Sequence, residues 1–110
     1  MADRSAPEQL ESQLRTDLAR YPYSSALQMA LGNLYASQSR WTEAQQTFFE
    51  AFRLDPENAD ASYNLAVSLD HLGQGKLALD YYQRSLAASQ KQAVQFDRGR
   101  VVRRVEELRP

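Results

Sequence analysis

An internal repeat with a period of about 34 residues constrains this chain more than any other feature. Leu31, Gly32, Tyr35, Ala44, Phe48 and Ala51 recur one period later, in the same order and at the same intervals, as Leu65, Ala66, Leu69, Ala78, Tyr82 and Ser85. Leu31/Leu65 and Ala44/Ala78 are identical, and the other pairs keep only size class, small for small and large for large. Packing asks for that pattern. Where two helices cross closely, small residues let the backbones approach, and large ones fill the space beside them at near-crystalline density.

Within the first period, Leu31-Gly32-Asn33-Leu34-Tyr35 followed by Ala44, Phe48, Ala51 and Pro56 reproduces the spacing L-G-x-x-Y…A-x-x-x-F…A…P with no position missing. On these residues the chain resembles the tetratricopeptide repeat family over about two thirds of its length. The second unit departs at Gly75, where the family has an aromatic and the first unit has Trp41, and at Gln90, opposite Pro56. Its end is therefore expected to be looser. The resemblance implies an all-α, right-handed stack of antiparallel helix pairs, about six helices in all, acting as a protein-interaction module. The wording Tyr63-Asn64-Leu65-Ala66-Val67-Ser68-Leu69-Asp70-His71-Leu72-Gly73, with Phe96-Asp97-Arg98, is similar to bacterial repeats of this family found with pilus-assembly and secretion systems.

The boundaries follow from local chemistry. Ser5-Ala6-Pro7-Glu8 is a capping box with proline in the first turn, so a helix begins there. Leu10, Leu14 and Leu18 give it one apolar stripe, and Pro22 ends it. This segment, 1–24, is expected to be the second helix of a truncated unit, covering one end of the stack. Ser24 and Asn58 are good N-cap residues at equivalent points. The units then run 25–58 and 59–92, with helices over 25–37, 41–54, 59–72 and 76–89 and a left-handed C-cap at Gly73. Residues 90–95 read as a loop or frayed turn. Asp97 is an N-cap with Phe96 placed to staple on Val101, and Val101, Val102, Val105 and Leu108 share a face. A helix over 97–108, within 93–110, is expected to cover the other end.

Among the aromatics, Tyr35, Phe48, Phe52 and Tyr82 are expected in the core, and Trp41 across the turn inside its own unit. Phe49 lies one helix step from Phe48 and is expected to pack on the N-terminal helix rather than to form a contact surface.

Composition removes several functions. There is one histidine, no cysteine and no glycine-framed serine, so the parts of a positioned nucleophile and base are missing, and the chain does not read as an enzyme. Neither a phosphate loop, a dinucleotide fingerprint nor zinc spacing occurs, and the Asp55–Asn58 turn lacks the ligand spacing of a calcium loop. No cofactor is expected. A net charge of −1 gives no reason to expect nucleic acid, and no apolar run approaches the roughly 20 residues that span a bilayer. The absence of cysteine leaves cytosol and periplasm undistinguished. The charge is unevenly spread, however: residues 1–70 carry 10 acids and 5 bases, and residues 71–110 carry 4 acids and 8 bases. Such polarity steers a charged partner or brings copies together head to tail.

In the family, the first helix of each unit lines a concave groove for a partner's extended segment or helix. Carried onto this chain, the groove falls to Ala26, Met29, Asn33, Ala36 and Ser37, then Asp60, Tyr63, Asn64, Val67, Asp70 and His71. Asparagine amides bond to any peptide backbone, and Met29, Tyr63 and Val67 offer apolar contact. One subclass grips a C-terminal carboxylate with two lysines, two asparagines and an arginine. Asn33, Asn64 and Arg98 stand at matching places, but Met29 and Val94 replace the lysines, which removes most of the positive field. Arg100, Arg103 and Arg104 lie on the outward side of the last helix, with Glu107 one turn after Arg103. They form either a solvated cap or a basic contact strip for an acidic partner. The other reading of the whole chain is a structural domain that self-associates, with no separate peptide ligand.

Overall fold

The computed structural model describes residues 5–110 without the side chain of Ser5, so the capping box expected at Ser5 lies outside the described residues. Six helices follow one another: α1 (Ser5–Arg20), α2 (Ser25–Ser37), α3 (Trp41–Leu54), α4 (Ala59–His71), α5 (Gly75–Ser89) and α6 (Arg98–Leu108). Among the described residues there is no strand. Successive helices pack on one another to give an all-α stack of helix pairs measuring 42 × 31 × 21 Å.

Three helix starts are made by side-chain caps. Ser24 Oγ accepts from Leu27 N at 3.1 Å, Asn58 Oδ1 from Asp60 N and Ala61 N at 2.9 and 3.2 Å, and Asp97 Oδ1 from Arg100 N at 3.2 Å. Each satisfies amides that a helix leaves without partners. The turns inside the two pairs close in the same way with different residues. Arg40 N donates to Tyr35 O and Gln74 N to Leu69 O, both at 2.9 Å and at equivalent points of the two units. The residue before each takes a left-handed conformation, with φ 77° at Gly73 and φ 57° at Ser39. Glycine adopts it freely; serine does so at a cost of roughly 1–2 kcal/mol.

The small positions mark the close crossings. Ala44, Ala51, Leu65, Ala66 and Ala78 are fully buried, and Phe48 lies against Gly32, where there is no room for a Cβ. Tyr35 and Tyr82 are buried, and Phe52 is half-buried, edge to face with Tyr81 at 5.2 Å. At Gly75 a Cβ would come within 3.3 Å of Leu108, so the aromatic missing from the second unit makes room for α6.

Several apolar side chains lie elsewhere than expected. Phe49, turned by about 100° from the buried Phe48, is 42% exposed rather than packed on α1, because α1 packs on α2 and does not cover this side of α3. Leu10 (49%) and Val102 (45%) are also exposed. The end helices have a neighbour on one side only, so α1 buries Leu14 and part of Leu18, while α6 buries Val101, Val105 and part of Leu108. Trp41 reaches past its own turn to stack on His71 of α4, with ring centres 3.8 Å apart and planes 3° from parallel.

The end expected to be loose is tied down. Residues 90–97 form a turn followed by irregular backbone. Gln92 Oε1 accepts from Ala59 N at 3.1 Å, Gln92 Nε2 donates to Glu57 O, and Gln95 N donates to Asp60 Oδ1 at 3.0 Å. The loop thereby satisfies an amide at the start of α4, and Phe96, buried, stacks on Tyr63 at 4.6 Å.

Candidate functional site

α2 from Ala26 to Asn33, the first half of α4 and the start of α6 line an open cavity of about 760 Å³. Met29 and Asn33 line it from α2, Tyr63 and Asn64 from α4, and Arg100 from α6. Thus six of the residues expected in the groove, the four from α2 and α4 with Ala26 and Asp60, share one space with one residue of the expected basic strip. The side-chain amides of Asn33 and Asn64 make no hydrogen bond among the described residues, so both keep donor and acceptor for a ligand. Ala26, Ala30, Asn58 and Asp60 complete the helical walls.

Gln95, Phe96 and Asp97 form the remaining wall, and they were not expected in the site. The signal was present in the cap spacing: Asn58 follows Ser24 by one repeat period, but Asp97 stands five positions farther from Asn58 than a period would place it. The additional residues supply the loop that closes this side. Val67 and His71 lie farther along α4, outside the cavity; Val67 is half-buried against the core, and His71 is engaged by Trp41. Ala36 and Ser37 also lie outside, and Ser37 Oγ donates to Leu34 O at 2.6 Å.

Arg104 is not part of an outward strip. Its Nε and Nη2 donate to the two oxygens of Asp70, each at 2.7 Å, and its Nη1 donates to Glu107 at 3.0 Å. The pair expected between Arg103 and Glu107 is thus made by Arg104, which sits a further 100° or so around the helix, about one residue's turn, and faces α4. Tyr82 donates its hydroxyl to Asp70 at 3.0 Å, so this carboxylate joins α4, α5 and α6 and does not line the cavity. The Arg104 guanidinium holds the Asp70 carboxyl below the ordinary range against the opposing effect of burial, with help from Tyr82. Burial, followed by the Asp70 charge, pushes the Tyr82 phenol up. Arg103 is exposed and does not line the cavity.

A second ionic cluster fastens α1. Glu11 accepts from Arg40 at 2.7 Å, Arg15 donates to the Tyr35 hydroxyl at 2.6 Å, and the Arg40 guanidinium lies 4.5 Å from the Tyr35 ring centre. Arg40 holds the Glu11 carboxyl below its ordinary value.

The carboxylate-gripping set is not assembled. Arg98 donates to Ser89 O and Gln92 O, which occupies it at the C-terminus of α5, and Val94 is half-buried against the core. No metal-binding group of three or more histidine, aspartate or glutamate side chains occurs among the described residues.

Helix pairs stacked so that alternate helices line an open concavity define a helical-repeat protein. A model of the tetratricopeptide repeat matches residues 29–93, more than half of the chain, and the chain belongs to that family. Among solved structures it is similar to YrrB, described as a tetratricopeptide protein with an unusual peptide-binding site, at 24% identity and a TM-score of 0.80 over 94% of this chain and 50% of that one. It is similar to MamA of MSR-1 at 21% identity and a TM-score of 0.76, covering 94% of this chain and 56% of that one. The first repeat domain of Spaghetti (RPAP3), solved with the HSP90 peptide SRMEEVD, shares 12% identity at a TM-score of 0.79 over 96% and 79%. The chain thus spans about half the length of the MamA and YrrB chains. A comparison with curated protein sequences finds no match.

Proposed function

We propose that this chain is a protein-interaction module that takes an extended segment or helix of a partner protein across its concave face. The observation that carries this reading is the pair of unengaged amides, Asn33 and Asn64, presented from neighbouring helices into one cavity beside Met29 and Tyr63. Amides so placed bond the backbone of any segment, and the apolar side chains beside them select among segments. The work is docking in a preformed groove, without catalysis or cofactor. Peptide binding by two of the structural relatives supports it. The wording of α4 and of Phe96-Asp97-Arg98 supports a scaffold role in a bacterial pilus or secretion assembly, which mass-spectrometric identification of captured partners tests.

Titration of a captured partner against Asn33→Ala and Asn64→Ala should show each lost bond weakening binding by roughly 0.5–1.5 kcal/mol, with the melting temperature little changed. Arg103→Glu, outside the cavity, should bind as the parent does. Loss in Arg103→Glu with unchanged affinity in both asparagine variants would move the contact to α6. A second reading, self-association, is favoured by the exposure of Phe49, Leu77 and Val102. Sedimentation across a dilution series separates the two, since a self-associating domain changes mass with concentration.

A further inference from the structure

The main cavity does not stand alone. A second depression of about 280 Å³ adjoins it and shares Asn58 and Asp60. Together the two are lined by four carboxylates, Asp55, Glu57, Asp60 and Asp97, and by a single cation, Arg100. Among the described residues none of these four acids enters an ion pair. Asp60 and Asp97 accept only from backbone amides, of Gln95 and Arg100, which leave the carboxylate charge in place. The α2 wall contributes no charge to offset it. Arg84 and Lys91 line a third depression that meets the second at Glu57 and Gln92 and does not reach the main cavity.

A concave surface with low-dielectric walls focuses the field of the charges that line it, so the sign of that field selects the occupant. We infer that the segment held in this groove carries a lysine or arginine whose cation faces Asp60 and Asp97, while its backbone bonds to Asn33 and Asn64. The inference rests on the groove reading above and adds the chemistry of the partner. A segment rich in acids would meet the four carboxylates with only Arg100 in its favour.

The test uses a displayed library of random short peptides selected on the whole chain, with counter-selection on Asn64→Ala. Selected peptides should be enriched in lysine and arginine, and their binding should weaken as salt is raised. The double variant Asp60→Asn, Asp97→Asn removes both charges while asparagine still accepts from Gln95 N and still caps α6. It should bind these peptides roughly threefold to tenfold more weakly, with an unchanged thermal melt. A second arm leaves the protein untouched: replacing the peptide's lysine or arginine by glutamine should weaken binding to the parent by the same factor and binding to the double variant hardly at all.

Enrichment in aspartate and glutamate with dependence on Arg100, or equal affinity for parent and double variant, overturns the inference while the groove reading stands. A selection that yields no peptide sensitive to Asn64→Ala overturns the groove reading and this inference with it.

Discussion

Gly32→Ala should destabilise the fold although it improves helix propensity. A Cβ at this position would lie 2.5, 2.7 and 2.9 Å from Cε1, Cδ1 and Cζ of Phe48, where ordinary contacts fall at 3.4–4 Å. The Phe48 ring is 1% exposed and has no open space to swing into, so ring and backbone must separate by nearly an ångström. Overpacking costs about 1–3 kcal/mol, and contacts this short against a ring that cannot move belong to the upper part of that range, about 2–3 kcal/mol, against which alanine returns about 1 kcal/mol of helix propensity. The net loss is therefore about 1–2 kcal/mol, a fall in melting temperature of roughly 5–10 °C for a domain of this size. Urea unfolding followed by circular dichroism supplies the free energies. In a Phe48→Leu background the ring is gone, and Gly32→Ala should become neutral or stabilising, giving a coupling of about 1–3 kcal/mol. The equivalent position in the second unit provides an internal control: Ala66 already carries the methyl group, is fully buried, and should lose about 1 kcal/mol on Ala66→Gly. A Gly32→Ala variant as stable as the parent, or one equally destabilised in both backgrounds, would refute the claim that this glycine is set by the Phe48 ring.

Asp70→Asn should cost about 1–2 kcal/mol and speed amide exchange in α6, because the bidentate Arg104 contact is lost and the Tyr82 hydroxyl keeps only a neutral acceptor. Since Arg104 lowers the Asp70 carboxyl in the folded state from its ordinary value of 3.8, the pair's contribution is fully present above that value and is lost as pH falls through the lower folded value; melts of parent and Asp70→Asn should converge there. Ser62→Ala should raise the melting temperature, because Ser62 Oγ is buried without a hydrogen-bond partner among the described residues, and removing it relieves roughly 1 kcal/mol; a lower melting temperature would mean that the hydroxyl is bonded.

The features legible in the sequence were those decided by local chemistry. Ser24, Asn58 and Asp97 cap helices because their side chains reach amides two or three residues ahead, and the repeat period locates the fully buried Ala44 and Ala78 without knowledge of any long-range contact. Arg104 was less legible because helix phase says which way a side chain leaves its own helix and not what approaches from another: Asp70, a full repeat earlier, comes from α4. Phe49, Leu10 and Val102 fall where a packing direction exists but no neighbour fills it. The candidate cavity was legible in part, since phase puts Met29, Asn33, Tyr63 and Asn64 on one side, whereas its extent is set by the loop of Gln95 and Phe96. That loop follows from a change of spacing rather than from any motif, and it leaves Val67 and His71 outside.

The chain has one tryptophan and one histidine, and they are in face contact across the joint between the two helix pairs, α2–α3 and α4–α5. Tryptophan fluorescence therefore reports on that joint with no label and no second indole elsewhere. In a stacked repeat each pair is stabilised by its own packing and by its interface with the next, so the pairs either unfold together or part first and unfold separately. Tryptophan emission read beside helicity distinguishes these courses: coincident curves mean that the joint lasts as long as the helices, and an earlier fluorescence change means that the molecule opens there like a hinge while both halves remain helical.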